Sequence, residues 1–286
     1  MATEWRTARG PISLERPRVA AILNVTPDSF WDGGRYASVA AAVARAEQLL
    51  AEGADLIDLG GESTRPGAAP LPAADEAVRL LPVIVELVRR WPDLLLSIDT
   101  NKSVVALAAL EAGAAIINDV SALRLDPALA DVTAAHGAGL VLMHSRGTVA
   151  EMAGYELAQY GADVTGEVCG ELQSAAARAE AAGNARACLV LDPGLGFAKR
   201  TEHSIAVLAG LDRITALGYP VLVGPSRKRF TGEVAGGLPL EERLEGTLAA
   251  CVVAVLGGAR ILRVHDVAPV RRAVALAEAV RLAART

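Results

Sequence analysis

Asp99, Asn118 and Asp192 each end a short apolar run, and Lys228 follows another within five residues. The two carboxylates and the amide suit a flat heterocycle that presents N–H donors beside a carbonyl, as an aminopyrimidinone edge does. Two carboxylates in one cleft also fit an acid/base pair or metal ligands, and residue types alone leave these readings open. A second set is basic: Arg65, Arg227, Lys228, Arg263 and His265. Arginine forks match phosphate oxygens, so a phosphate or pyrophosphate site is expected where these loops converge.

Convergence requires a scaffold, and the chain writes one. Eight apolar runs stop on or beside a polar or glycine residue: VAAIL at Asn24, LI at Asp58, LLLSI at Asp99, AII at Asn118, LVLM at His144, LVL at Asp192, VLV at Gly224 and ILRV at His265. Most of the stretches between them have room for a helix. Strand, functional loop and returning helix, repeated eight times, predict an α/β fold, a single (β/α)8 TIM barrel whose site lies on the loops after the strands. Barrels often bind phosphate near strands 7 and 8, where Ser226, Arg227, Lys228, Arg263 and His265 fall. Residues 1–17, polar with Pro11 and Pro17, read as an extended N-terminal lead-in, and 18–286 as the barrel.

Punctuation places the helices. Thr26 to Tyr36 reads as a long loop, followed by a helix from Ser38 to Gly53. Gly60 to Pro72 reads as a second long loop, and Pro82 predicts a kink or break in a helix from Ala74 to Trp91. Later helices are expected from Ser103 to Ala112, from Asp126 to Gly137, within Ala158 to Ala182, and over Glu202–Leu217, Leu240–Leu256 and Asp266–Ala284.

At 286 residues and 52% apolar, the chain fits one barrel with a sizeable core. A net charge of −5 gives no general attraction for nucleic acid or anionic membranes, so neither is an expected partner. Cys169, Cys188 and Cys251 are too widely spaced for a metal or redox pair and read as reduced thiols; with no apolar leader, they predict a cytoplasmic protein. Among 28 basic residues only Lys102, Lys199 and Lys228 are lysine, and each follows a strand. Where arginine is the default cation, a retained lysine marks a place for a compact ammonium donor.

The loops carry specific motifs: NVTPDSFWDGG (24–34), DLGGESTRPG (58–67), SIDT (97–100), INDVSA (117–122), MHSRG (143–147), DPGLGFAK (192–199), VGPSRKRF (223–230) and RVHDV (263–267). Taken in order, they resemble the dihydropteroate synthase family from about residue 18 to 284. The resemblance implies an enzyme of folate synthesis that joins 6-hydroxymethyl-7,8-dihydropterin pyrophosphate to 4-aminobenzoate and releases pyrophosphate. It implies that Asp99, Asn118, Asp192 and Lys228 hold the pterin, with Met143, Gly196 and Phe197 lining it. Asn24 would reach a Mg2+ shared with pyrophosphate; Arg65, Arg263 and His265 would hold the anion, with Thr64 nearby. Phe30, Pro66, Phe197, Ser226 and Arg227 would shape the aminobenzoate pocket, where sulfonamides compete in the family. The family is usually a homodimer. Ser145, Trp31 and Arg200 depart from the common pattern, and none is among the expected pterin ligands.

The implied chemistry agrees with the residue types. Breaking the C–O bond at the pterin methylene puts positive charge on the ring and negative charge on the leaving group, which calls for carboxylates around one and cations with Mg2+ around the other. No Ser-His-Asp or Cys-His constellation is apparent, so the expected route is an SN1-like displacement. Arg65, Lys228, Arg263 and His265 are the expected catalytic groups. Asp28 and Asp32 could close over the metal or the amine but as isolated loop acids read more readily as turn formers, Asp58 reads as a buried structural carboxylate or a ligand contact, and His144 as an orienting or structural residue without an evident partner. Two other readings share the pattern: a pterin-binding methyltransferase, disfavoured by Thr64, Arg65 and Pro66, and a silent paralogue, disfavoured by the leaving-group residues.

Overall fold

The computed structural model describes residues 3–25, 34–62 and 71–283. Eight parallel strands carry the site: β3 (Arg18–Asn24), β4 (Leu56–Gly60), β5 (Leu96–Asp99), β6 (Ile116–Asp119), β7 (Gly139–Met143), β8 (Leu189–Asp192), β9 (Leu222–Val223) and β10 (Ile261–Val264). They pair in the order β8-β7-β6-β5-β4-β3-β10-β9. The Leu191 N–H donates to the Pro220 carbonyl at 3.0 Å and Leu191 bridges to Val221, which closes the barrel. Strands such as β4, buried along their whole length, show why the sequence reads as apolar runs: both faces of a parallel sheet are covered.

The helices pack outside this sheet. They include α1 (Gly34–Ala51), α2 (Ala73–Arg90), α3 (Ser103–Glu111), α4 (Leu129–His136), α5 (Val149–Met152), α6 (Val164–Ala181), α7 (Thr201–Ala209), α8 (Leu211–Thr215), α9 (Arg229–Glu233), α10 (Leu244–Leu256) and α11 (Val267–Ala283). Several expectations need correction. Helix α1 starts at Gly34, inside the stretch read as loop. Helix α2 continues through Pro82, forfeiting only the bond to the carbonyl of exposed Val78. The helix expected over Glu202–Leu217 is two helices meeting at Gly210, and the one expected from Leu240 begins as a 3-10 turn, Leu240–Glu242, before α10.

The lead-in is also corrected. It folds as a hairpin, β1 (Glu4–Thr7) with β2 (Gly10–Ser13). Trp5, Ile12 and Leu14 are buried against Leu56, Ile116, Val141, Val190 and Ile261, so the hairpin plugs the barrel at the N-terminal end of its strands. The Trp5 indole N–H donates to the Cys188 carbonyl at 2.8 Å, satisfying its one polar group. With that end filled, the open mouth is at the strand C-termini. No helix among the described residues is long and apolar enough to cross a membrane.

Candidate active site

Register puts the polar stops in rows. Asn24 lies beside Gly60, Gly60 beside Asp99 and Asp99 beside Asn118, one position per strand from β3 to β6. Two residues earlier, and therefore on the same face, Asp58 lies beside Ser97. Gly60 leaves space in the upper row: a Cβ there would sit 3.1 Å from Asn24 Oδ1 and 3.8 Å from Asp99 Oδ2.

Asp58 is a hub rather than an isolated structural acid. Its carboxylate accepts the Ser97 hydroxyl at 2.6 Å, Asn118 Nδ2 at 3.3 Å and Arg263 Nε at 2.5 Å. The other edge of Arg263 donates from Nη2 to Asp99 Oδ2 at 2.6 Å. One guanidinium therefore joins the buried Asp58 carboxylate to the part-buried Asp99 carboxylate, a geometry a lysine cannot reproduce. Burial raises the Asp99 pKa while Arg263 opposes it; for Arg263, the carboxylates overcome the burial penalty and hold the charge in place.

The amide of Asn118 is oriented by that hub. Nδ2 points to Asp58, whereas Oδ1 is buried with no hydrogen-bond partner. An unsatisfied buried acceptor is costly, so this oxygen calls for a donor from outside the protein. Around it opens a cavity of about 650 Å3 lined by Asn24, Asp99, Met143, Asp192, Gly196, Phe197, Lys228, Arg263 and His265. Asp192 accepts the Gly194 N–H at 2.7 Å, and burial pushes its carboxyl up to about 6. Burial, reinforced by Arg263, pulls Lys228 down to about 7. The Lys228 Nζ sits 3.4 Å from the centroid of the Phe197 ring. Val120, Met143 and Phe197 form an apolar wall beside these polar groups. The cavity thus pairs flat apolar surface with a convergent set of acceptors and one ammonium group.

The expected anion set is arranged differently. Arg263 is tied to Asp58 and Asp99. Arg227 is tied to Asp266 through Nε at 2.9 Å and Nη2 at 2.7 Å. His265 is not a cation near neutral pH, because burial, with Arg263 and Arg227 nearby, lowers it to about 4. Its Nδ1 lies 3.0 Å from the Ser226 hydroxyl, so it serves this mouth as a neutral hydrogen-bonding ring. Phe30, Thr64, Arg65 and Pro66, with Asp28, Trp31 and Asp32, lie outside the described residues.

Two lysines unassigned by the expected roles are built into the rim. Lys102 bonds Glu62 at 2.7 Å and also Glu76, whose carboxyl is raised by burial. Glu62 in turn accepts the N–H of Leu71 at 2.7 Å, joining the described residues on either side of the second loop. Lys199 is buried and meets His144, the partner missing from the sequence reading. The scarcity of lysine was the available signal for both.

Known proteins agree with this geometry. A family model described as pterin binding enzyme matches residues 20–265. The chain is 43% identical over 253 residues to a dihydropteroate synthase of Synechocystis, covering 88% of this chain and 86% of that protein. It is 45% identical, with a TM-score of 0.89, to the Xanthomonas albilineans dihydropteroate synthase solved with 4-aminobenzoic acid, over 98% and 99% of the two chains. The same relative's complex with 7,8-dihydropteroate matches at 44% identity and a TM-score of 0.84, over 95% and 96%. Barrel, motifs and cavity agree in one assignment: the chain belongs to the dihydropteroate synthase family of pterin-binding transferases.

Proposed function

We infer that the chain joins 6-hydroxymethyl-7,8-dihydropterin pyrophosphate to 4-aminobenzoate in folate synthesis, giving 7,8-dihydropteroate and pyrophosphate. The observation that carries this reading is Asn118 Oδ1, a buried acceptor without a donor, in a cavity shared with Asp99, Asp192 and Lys228. A pterin's ring N–H and amino groups supply the donors, and its carbonyl accepts from Lys228. Met143 and Phe197 contact the ring, and Gly196 leaves it room.

The route is a displacement of SN1 character. The methylene C–O bond breaks with its electron pair leaving on pyrophosphate, and the ring cation forms beside the carboxylates of Asp99 and Asp192. The amine lone pair of 4-aminobenzoate then forms the C–N bond, and the amine proton passes to a pyrophosphate oxygen or to water. His265 meets the departing anion as a neutral hydrogen-bonding ring, and the resemblance assigns Arg65, with Thr64, to the same anion. Arg263 acts there through its hold on Asp99, with its charge available to the anion at longer range. Ser226 and Arg227 shape the aminobenzoate side, to which the resemblance also assigns Phe30 and Pro66.

The site's chemistry suits Mg2+. Asn24 Oδ1 and Asp99 Oδ2 are hard oxygen donors facing the gap left by Gly60, and Mg2+ takes few protein ligands when phosphates and water complete its shell. When bound, the ion offsets charge on the pyrophosphate. Asn24 would hold it; the other residues act as described whether or not it is present.

A cytoplasmic homodimer belongs to the same reading. The free thiols of Cys169, Cys188 and Cys251 support the compartment, and exposed Leu276 and Val280 on α11 with Val253 and Leu256 on α10 support a self-association face. The test is binding: calorimetry with a pterin should give one site per chain, weakened in Asp192→Ala and in Asn118→Ala. A pterin affinity unchanged by both substitutions would remove this assignment of the cavity.

A further inference from the structure

Lys199 is 1% exposed, and no step described so far uses it. A lysine buried this deeply is stable as an ammonium only if each N–H finds an acceptor. Lys199 has three within reach: His144 Nδ1 at 2.7 Å, the Gly194 carbonyl at 3.2 Å and the Phe197 carbonyl at 3.2 Å. Accepting from Lys199 assigns the His144 proton to Nε2, which lies 3.1 Å from Glu171 Oε2. Burial, aided by Lys199, lowers His144 to about 4, so it is a neutral acceptor.

The segment that Lys199 holds is a strained one. Gly194 has φ +63°, and a Cβ there would lie 2.0 Å from the His144 carbonyl oxygen; Gly196 has φ +75°, and Ala198, which is not glycine, has φ +46°. Left-handed backbone persists where surrounding bonds over-determine it. This turn carries the Phe197 ring to Lys228, with Gly196 against the Lys228 stem. Asp192, Ser204, Met152 and Tyr160 bond the turn at Gly194, Gly196 and Ala198, and the two carbonyls nearest the Phe197 ring, those of Gly194 and Phe197, converge on the one Lys199 nitrogen.

We propose that Lys199 is a positioning residue for pterin capture: its ammonium, shared among Gly194, Phe197 and His144, sets the 194–198 turn so that Phe197 and Gly196 frame Lys228, and the neutral amine holds that turn less well. This rests on the pterin reading of the cavity. The groups around Lys199 make its charge responsive. Burial disfavours it; Asp192 at the end of β8 and Glu171 on α6 favour it; Arg146 and Lys228 oppose it, and the balance lowers Lys199 to about 7. Glu171 stays ionised, held down to about 2 against burial by His144 and Arg146. The Tyr160 ring beside His144 stays neutral, its pKa raised by burial.

The sign follows directly. Lys199 is charged below about 7 and neutral well above it, so its contribution to pterin binding is present at pH 6 and lost by pH 9. The test is calorimetric titration of the full chain with 6-hydroxymethylpterin at both pH values, comparing the natural protein with Lys199→Met. Both proteins share Lys228 and Asp192, which are coupled to the Lys199 charge, so the midpoints of these two groups are followed beside the affinities in each protein. Expected is a weakening of about tenfold or more at pH 6 that shrinks to less than about threefold at pH 9. A weakening of equal size at both pH values would show mere packing and overturn the proposal. Absence of binding by the natural protein would overturn the pterin reading and this proposal with it.

A second measurement needs no variant at position 199. With three lysines in the chain, lysine-13Cε labelling gives three NMR signals. Lys102 is identified by Lys102→Arg and Lys228 by the ring-current shift from Phe197. Binding linked to the charged form must raise the Lys199 midpoint when pterin saturates the protein. A midpoint unmoved by pterin would also overturn the proposal.

Discussion

Arg263 reaches Asp99 through a 2.6 Å bond from Nη2 to Oδ2, and this contact joins the last barrel strand to the third. The same guanidinium bonds Asp58 on the second strand, so three strands of the mouth share one cation. Removing it leaves the buried Asp58 and the part-buried Asp99 without their cation. Arg263→Ala should destabilise the fold by about 3–5 kcal/mol, read by urea denaturation. Arg263→Lys keeps the charge but cannot span both acids, and should retain more stability than the alanine variant while still losing most activity. Equal stability of the natural protein and Arg263→Ala would show that the bridge contributes nothing.

Asn118 gives a cleaner separation of binding from folding. Asn118→Ala removes the unpartnered Oδ1 and should weaken pterin binding by about 1–3 kcal/mol, or roughly 5- to 150-fold, measured by calorimetry. Asn118→Asp keeps an acceptor but places a third carboxylate against Asp58, so it should lose more stability than Asn118→Ala loses.

Acid and base limbs should bracket pterin binding. Asp192 must be ionised to accept N–H donors, so affinity should rise as pH passes upward through about 6. Lys228 must be charged to donate with full strength, so affinity should fall as pH passes upward through about 7. The result is a narrow bell whose limbs belong to the coupled site. Asp192→Asn should remove the Asp192 share of the acid limb and leave that of Asp99, raised by burial to about 7, with the basic limb, measured by pterin titration from pH 5 to 9.

The N-terminal hairpin should govern stability without touching chemistry. Trp5→Ala empties the plug and abandons the bond to Cys188, and should cost about 3–5 kcal/mol, seen as a lowered thermal midpoint. Well below that midpoint, the pterin affinity should be unchanged, because the plug lies at the opposite end of the strands from the mouth.

The barrel was readable because parallel strands covered on both faces leave continuous apolar runs, and most of those runs end at a residue that lines the cavity. Asp99, Asn118 and Asp192 were legible for that reason. The Arg263 partners were not: Asp58 is 205 residues away, and only barrel closure brings the two together. The neutrality of His265 depends on burial and on neighbouring guanidinium groups, neither of which spacing reveals. Trp5 was hidden by a hairpin of two four-residue strands around Gly10, too short to show alternation against polar neighbours. Lys199 was marked only by the scarcity of lysine, and its burial follows from the turn before it, which draws it inside.

The division of labour in the mouth is tested most directly by following both products at once. The protein, with Mg2+, is incubated with the dihydropterin pyrophosphate and 4-aminobenzoate while dihydropteroate and pyrophosphate are quantified over time. The account predicts that the two appear one for one, that chelating Mg2+ slows both, and that Lys228→Ala lowers the rate at least about 100-fold while the protein stays folded. Pyrophosphate release without dihydropteroate, or full activity in Lys228→Ala, would contradict it.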